Sequence, residues 1–561
     1  MTQKANEQAA NSGQDELLDQ QRDRQLETAT TATITAAAAA ASTGDGAALA
    51  ASESAAPAAQ TGAGAGAPAA QDDADARSTA RADDMFANAP IPQAVLKNAI
   101  PAMLAMLMVL VYNLADTFFI GQTGDAILVA AVSLGTPVFL MYMAVGTLFG
   151  AGGVSVVSRA LGSGDVKRAK SANSFAIWTC LIVSIALAAC VLIFMDPLLN
   201  LLGASEDTWE PTKTYLTITA FAAPFVAICE CFANIIRAEG ASTRAMAGMI
   251  TGNVINIVMD PILILAAGWG IAGAASATLI GNICALFVYL QFYLSKRSDL
   301  GISPKRYSTR GGIATGVLSI GIPAALASIL MNVSQIIANA QMAQYGDLAV
   351  SGLGVAMKVV MITGMICMGL AQGIQPLLGY CVGAKKWKRF GGVMKFSLVS
   401  IFCLGIAMAI LCYAFTPQIV SVFLTDEAAA DYAVEFARIL LTTSFLFGVF
   451  YVLTNALQAM GAATPALIVN ISRQGIIYIP MLFILQSFMG IDGLLWAQPV
   501  ADVLAFGLAV GLFVYTYRKL RRADEEAGLT ADESEGKGAA GATGAAATVT
   551  AQAGAGAGAN A

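Results

Sequence analysis

The stretch LKNAIPAMLAMLMVLVYNLADTFF, residues 96–119, is the first of many long apolar runs in this chain of 561 residues. Coiled as a helix that rises about 1.5 Å per residue, it is long enough to cross about 30 Å of hydrocarbon. Its charged residues are Lys97 near the beginning and Asp116 near the end. The run therefore predicts a membrane-spanning helix.

Runs of similar length continue along the chain and bring the total to twelve. They lie near 127–151, 172–195, 213–236, 245–267, 271–294, 314–342, 348–371, 393–415, 432–458, 466–488 and 492–516. Apolar residues make up 57% of the chain and charged residues only 12%, against about 25% charged in soluble domains. The composition predicts an all-α membrane protein with twelve transmembrane helices.

The two halves of this region resemble each other at an offset of 220 to 222 residues. The matches are Ile100-Pro101 with Ile322-Pro323, Gly124-Asp125 with Gly346-Asp347, Pro197 with Pro417, Asn234-x-x-x-Ala238-x-Gly240 with Asn455-x-x-x-Ala459-x-Gly461, and Gly270-Ile271-x-Gly273 with Gly490-Ile491-x-Gly493. Six spans per half give both halves one orientation, which predicts parallel repeats around a central cavity. We expect an N-lobe at 91–300 (helices 1–6) and a C-lobe at 301–520 (helices 7–12).

The segments outside the lobes, 1–90 and 521–561, are rich in Ala, Gly and polar residues. Such segments bury too little apolar surface to fold, so we expect disordered tails. Lys and Arg cluster after the second, fourth, sixth, eighth and twelfth spans, whereas the loops after the odd-numbered spans contain essentially only Lys213. This asymmetry predicts that both termini are cytoplasmic.

Four polar residues in the first, fifth and sixth spans are candidates for an ion site. From the distance of each residue to the end of its span, Asp116, Asp260 and Thr278 fall at similar depths, and Asn256 shares a helix face with Asp260. Pro261 has no N–H and leaves a carbonyl without its helical partner. These oxygen ligands suit either a bound Na⁺ or a shared proton. Alternatively, Asp116 reaches interfacial water and Asp260 is the structural partner of an arginine.

Several chemistries are disfavoured by what the chain contains. It has no histidine, which excludes a Ser-His-Asp triad and a histidine-ligated metal. The nine cysteines lie mostly in apolar runs, which is typical of structural thiols. There is no G-x-x-x-x-G-K-[ST] motif for ATP, and the net charge of −6 comes from the tails. We expect neither an enzyme nor a cofactor nor a nucleic-acid partner.

Several motifs together resemble the multidrug and toxic compound extrusion (MATE) family over about residues 90–520. They are Tyr112-Asn113-Leu-Ala-Asp116-Thr117-Phe118, Arg237-Ala-Glu-Gly240, Asn253-x-x-Asn256-x-x-x-Asp260-Pro261, Gly273-Ala-Ala-x-Ala-Thr278, Gly373-x-Gln375-Pro376-x-x-Gly379 and Gln458-Ala-x-Gly461. The resemblance implies a V-shaped, two-lobe antiporter that exports cationic or amphipathic small molecules in exchange for H⁺ or Na⁺. We also expect the protein to be a monomer in the cell membrane.

The resemblance also implies roles for individual residues. The family's N-lobe ion site matches Asp116, Asn256, Asp260 and Thr278, and Pro101 matches a proline at which the first helix bends. One branch of the family carries further acids in spans 7 and 10. Here span 7 has Asn332 and no acid, and span 10 has only Glu435, near its outer end. This pattern favours the DinF-like branch.

Other intramembrane charges allow more than one interpretation. Glu230 could meet substrate in the cavity, but pairing with Arg237 is favoured. Lys358 could face the cavity, or instead extend toward the interface or pair with another group. Arg473 and Asp502 are expected to pair across the C-lobe.

Two other functions fit a chain of this kind. A flippase for a lipid-linked oligosaccharide or cell-wall precursor would use the same fold, but should have cavity-lining arginines for pyrophosphate. A receptor or scaffold without transport is disfavoured because duplicated halves provide a mechanism for alternating access.

Overall fold

The computed structural model describes residues 83–122, 126–295, 298, 300–424 and 427–528, and these are helical with connecting turns. The first repeat contains seven helices. They are α1 (Ile91–Gly121), α2 (Ala126–Gly162), α3 (Val166–Ile193), the short α4 (Met195–Leu202), α5 (Glu206–Ala238), α6 (Ser242–Asp260) and α7 (Gly270–Leu294). All except α4 belong to helices long and apolar enough to span a membrane.

The second repeat follows the same order with two of its spans interrupted. Its helices are α8 (Ile313–Met342), α9 (Asp347–Gly383), α10 (Trp387–Phe423), α11 (Glu427–Leu441), α12 (Ser444–Ala459), α13 (Ala463–Ile471), α14 (Ile479–Met489) and α15 (Ile491–Glu526). Within the described residues, eleven helices qualify as spans, and α11 with α12 forms a twelfth that is bent by 47°. The prediction of twelve spans is confirmed.

The bend between α11 and α12 was not expected from the apolar run near 432–458. It lies at two threonines that bond to the backbone or to a neighbouring helix. The Thr442 hydroxyl donates to the Ile439 carbonyl at 2.6 Å, and the Thr443 hydroxyl lies 3.5 Å from Asp502 Oδ2. Hydroxyls that bond to preceding carbonyls often bend helices.

Matching glycines have matching roles in the two repeats. An added side chain at Gly273 would meet the backbone of Leu263, and one at Gly493 would meet the backbone of Leu485. In both repeats the sixth span therefore packs directly on the backbone of the fifth. Gly240 (φ +78°) and Gly461 (φ +73°) both adopt the left-handed conformation after the fourth span. The repeat seen in the sequence is thus a structural repeat.

The repeats pack against each other at the end of the bundle where α1 begins and α15 ends, which we call the terminal face. Glycines allow the backbones to touch there. An added side chain at Gly152 of α2 would collide with the Val317 carbonyl of α8, and one at Gly383 of α9 would collide with the Arg159 carbonyl of α2. The Ser155 hydroxyl also donates to the Gln458 carbonyl of α12 at 2.5 Å.

Toward the opposite end, the apolar packing divides between the repeats. One cluster joins residues of both repeats near the terminal face. Farther away, a cluster around Tyr142 and Leu216 is confined to the first repeat, and one around Leu353 and Leu482 is confined to the second. The two lobes are joined at one end and have separate cores at the other, which is the V shape that the family resemblance implies.

The tail boundaries differ from those predicted at 90 and 521. The turn Asp83–Asn88 is π-helical, and Phe86 is fully buried with its ring 5.5 Å from that of Tyr380. At the other end, α15 continues to Glu526, and Asp524 accepts hydrogen bonds from Lys385 and Trp387. The buried Phe86 side chain and the ion pair between Lys385 and Asp524 therefore extend the folded core beyond the predicted apolar runs. The remaining predicted tails, 1–82 and 529–561, lie outside the described residues.

Candidate functional site

The candidate ion site begins where α6 ends. Asp260 is the last residue of α6 and is fully buried. A π-helical turn, Pro261–Ala266, follows directly. Proline cannot donate the hydrogen bond that an α-helix needs at that point, and single π-turns often occur at functional sites.

Small residues bring α7 close enough to complete this site. An ideal Cβ at Gly281 of α7 would lie 2.6 Å from the Gly252 carbonyl oxygen of α6 and 3.2 Å from Asn256 Cβ. Helix backbones can approach this closely only where side chains are missing. The contact places Thr278, one turn before Gly281, beside Asn256.

The Asn256 side chain connects Thr278 with Asp260. One end of its amide lies 3.2 Å from Thr278 Oγ1. With the amide nitrogen turned toward the carboxylate, it donates to Asp260 Oδ2 at 3.2 Å, while the amide oxygen accepts from the Thr278 backbone N–H at 3.0 Å. We assign this orientation because it provides a donor for each acceptor.

The first helix contributes the other side of the site. Asp116 is half-buried in α1 and close enough to interact electrostatically with Asp260. Tyr112, one turn earlier in α1, lies near the Thr278 side chain, and Tyr215 of α5 lies near Asp116. The structure therefore brings together the four residues predicted for the site, and adds two tyrosines.

The arrangement leaves one strong acceptor without a partner. Asp260 Oδ1 is buried and accepts no hydrogen bond from the residues that the structure describes. An ionised oxygen in this position is costly unless a cation or proton joins it. The site thus has the chemistry to bind Na⁺ or H⁺ between two carboxylates. That role stays a prediction.

Sequence reasoning gave no role to Tyr112 and Tyr215. Tyr112 could have been found, because it precedes Asp116 by four residues and so shares its helix face. Tyr215 lies on α5, more than ninety residues away in the chain. Only the packing of α5 against the first helices brings it to the site.

The second repeat has a different polar centre. Arg473 Nε donates to Asp502 Oδ1 at 2.9 Å, and their side chains are 7% and 8% exposed. The guanidinium also lies over the ring of Phe447, 4.4 Å from its centroid. The expected pairing is confirmed. With the repeat offset of 222 residues, Asp116 corresponds to Ala338, so the second repeat has no carboxylate at the position of Asp116. The carboxylate of Asp502 is already paired with the guanidinium of Arg473.

Comparison with known proteins identifies the chain's relatives. The MatE family model matches residues 101–262 and 323–484, once in each repeat and over more than half of the chain. The chain belongs to the MATE family. The multidrug export protein MepA of Staphylococcus aureus is 31% identical over 450 residues, covering 80% of this chain and 97% of that protein.

Solved structures show the same fold as this MATE protein. A MATE crystal structure in complex with MaL6 superimposes with a TM-score of 0.74 at 22% identity, covering 79% of this chain and 99% of that one. A MATE transporter described as outward-facing superimposes with a TM-score of 0.72 at 23% identity, covering 79% and 98%. Membership of the family makes the chain a multi-pass membrane transporter and not an enzyme.

The predicted direct pairing of Glu230 with Arg237 in this MATE protein is wrong. Asn234 lies between them: its amide nitrogen donates to Glu230 Oε1 at 3.0 Å, and its oxygen accepts from Arg237 Nη2 at 2.9 Å. All three lie on one face of α5. Seven residues of helix span about 10 Å, so a residue midway between the charges is better placed to contact both.

Lys358 adopts one of the alternatives expected for it. Its ammonium lies over the ring of Phe423, 5.2 Å from the centroid. Phe423 ends α10 at the face opposite the termini, so the lysine extends along α9 toward that face. A contact with an aromatic ring partly compensates for the loss of water.

Pro101 lies inside α1, where this helix meets α9. An ideal Cβ at Gly369 would be 2.6 Å from Met103 Cα, and one at Gly373 would be 2.7 Å from Ala99 Cα. The proline is thus in the part of α1 that touches the second repeat. Its role, and that of Pro261, as points of bending stay predictions.

Proposed function

We propose that this protein is a secondary active exporter that moves cationic or amphipathic small molecules in exchange for H⁺ or Na⁺. The observation that carries the proposal is the buried, unpartnered Asp260 Oδ1 beside Asp116, within a fold of two MatE repeats. The curated relative MepA is named a multidrug export protein, which supports the substrate class.

The proposal includes an orientation in the cell membrane. Basic residues concentrate at the terminal face, for example Arg518, Lys519, Arg521 and Arg522 at the end of α15. Positively charged loops favour the cytoplasmic side, so the lobes join at the cytoplasm and separate toward the outside. Binding of the ion at Asp260, on the side away from the joint, would then accompany substrate release to the outside.

The experiment is drug efflux measured in everted membrane vesicles under an imposed pH gradient and, separately, an imposed Na⁺ gradient. We expect one gradient to drive transport. Asp260→Asn should lose the driven component while reaching the membrane at the wild-type level, because Asn is nearly isosteric with Asp.

The matched control is Asp492→Asn, an exposed acid at the start of α15. Equal loss in both variants, or driven efflux without Asp260, would contradict the proposed site.

The flippase alternative is less well supported by the buried arginines. Arg237 is held by Asn234 and Arg473 by Asp502, so neither offers a free guanidinium to a pyrophosphate. The same vesicles distinguish the alternatives, since a flippase would show no gradient-driven drug efflux.

A further inference from the structure

An open groove of about 350 Å³ lies between α10 and α15 near the terminal face. One wall is formed by α10 and the other by α15. The lining residues are Phe390, Gly391, Met394, Lys395, Leu398, Val399, Phe513 and Tyr517. Val399 is 57% exposed, so the groove opens at the surface of the bundle. It is separate from the candidate ion site in the first repeat.

Three stacked aromatic rings line one part of the groove. The rings of Phe390 and Tyr517 stack at 5.6 Å with an interplanar angle of 15°, and those of Phe513 and Tyr517 stack at 6.1 Å with 13°. Together with the aliphatic side chains of α10, these rings present a long apolar surface. Such a surface at membrane depth suits a hydrocarbon chain.

One cation lies among these apolar residues. Lys395 is exposed and comes five residues after Phe390, or about 8 Å farther from the terminal face. A lysine facing lipid is costly, but its long stem allows the ammonium to reach the headgroup layer. The groove therefore has an apolar floor and one exposed cation in its lining, whose stem is long enough to reach the membrane interface.

More positive charge lies at the terminal face. Arg521 lies one turn after Tyr517 on α15 and pairs with Glu525 at 2.6 Å. Arg518, Lys519 and Arg522 belong to the same two turns of α15. Basic pockets between transmembrane helices are suited to anionic headgroups.

We propose that this groove binds a phospholipid with an anionic headgroup from the leaflet at the terminal face. The acyl chain lies along Met394, Leu398 and Phe513, and the phosphate contacts Lys395 and the tyrosine at the mouth. The site does not depend on the transported substrate, the coupling ion or the orientation of the protein. If no lipid bound in this groove, the proposed transport function would therefore be unaffected.

The test uses the full chain purified in a mild detergent, with dioleoyl phosphatidylglycerol or dioleoyl phosphatidylcholine added at equal concentrations. Binding is measured by native mass spectrometry, and the midpoint of thermal unfolding is measured in parallel. We expect phosphatidylglycerol to bind and raise the midpoint, since a ligand that binds only the folded state stabilises it. Phosphatidylcholine should have a much smaller effect on both.

Two variants examine the two parts of the site. Lys395→Met keeps an apolar stem and should weaken phosphatidylglycerol binding about tenfold through loss of a charge-assisted contact. Gly391→Leu should fill the groove, because within the described part of the chain an added Cβ there meets only the Tyr517 hydroxyl, at 3.7 Å. Both variants should unfold at the wild-type temperature without lipid, which would show that the fold is intact.

The control is Lys305→Met, an exposed lysine near the terminal face that lies outside the groove. It should bind phosphatidylglycerol like the wild type. The proposal would be overturned if the two lipids bound equally, or if Lys395→Met and Lys305→Met lost phosphatidylglycerol binding to the same extent. Stabilisation by inorganic phosphate alone, equal to that by the lipid, would also overturn it.

Discussion

At the scale of single residues, Asp116 and Asp260 are close enough to interact, and this predicts that their effects on transport are not additive. If both hold one ion, removing either carboxylate already breaks the site, so the second substitution has little left to remove. Asp116→Asn/Asp260→Asn should transport about as poorly as the worse single variant. The measurement is a double-mutant cycle on initial efflux rates, with membrane levels quantified.

The outcome that contradicts a shared site is equally specific. Two impaired but active single variants, whose losses in activation free energy add in the double variant, would indicate separate roles. Asp260 with Asn256 would then stay the candidate ion site, and Asp116 would act in movement of the first helix.

The ion pair between Arg473 and Asp502 predicts a change in stability. Asp502→Asn leaves a buried guanidinium without its counter-ion, and breaking such a pair costs about 3–5 kcal/mol. The double variant Arg473→Met/Asp502→Leu removes both charges and should recover most of that loss. The measurement is the midpoint of thermal unfolding in detergent. A single variant as stable as the wild type would show that the pair contributes little.

At the scale of helices, the glycines of α9 that face the first repeat determine how closely the lobes meet. Gly383→Leu places a side chain against the Arg159 carbonyl and should separate the lobes at the terminal face. A cysteine replacing the buried Ser155 should then react faster with a small thiol reagent, by about tenfold or more if the contact opens fully.

The same helix provides a matched control for this experiment. An added Cβ at Gly354 of α9 meets none of the described residues within 4 Å, so Gly354→Leu should leave the reactivity at position 155 unchanged. Protein that retains Ser155 corrects for the native cysteines. Equal reactivity in both leucine variants would mean that close packing at Gly383 does not hold the lobes together.

At the scale of the whole molecule, the positions of the loops predict a labelling pattern. Gln122 follows α1 at the face opposite the termini, whereas Ser163 follows α2 at the terminal face. With both termini cytoplasmic, a cysteine at Gln122 should react with an impermeant thiol reagent on intact cells, and one at Ser163 should react only after the membrane is opened. The reverse pattern would invert the proposed orientation.

The architecture could be predicted from the sequence because its determinants are local. The length of an apolar run does not depend on distant residues, and the twelve spans followed from it. The two repeats followed from the motifs that recur at a nearly constant offset between the halves. The depths of Asp116, Asp260 and Thr278 were also predictable, since helix rise converts position in the chain into height.

Contacts between helices required the tertiary structure. Height along a helix does not specify which way a side chain points or which neighbour it meets, so Tyr215 beside Asp116 and Phe447 beneath Arg473 could not be inferred. Asn234 was not predicted between Glu230 and Arg237, because the pairing rested on the helix face that residues i and i+7 share and left out the neutral residue between them. The sequence by itself determined the helices, their order and the depth of their charges. Packing decided which of these charges have partners, and among the described residues it left Asp260 Oδ1 without one.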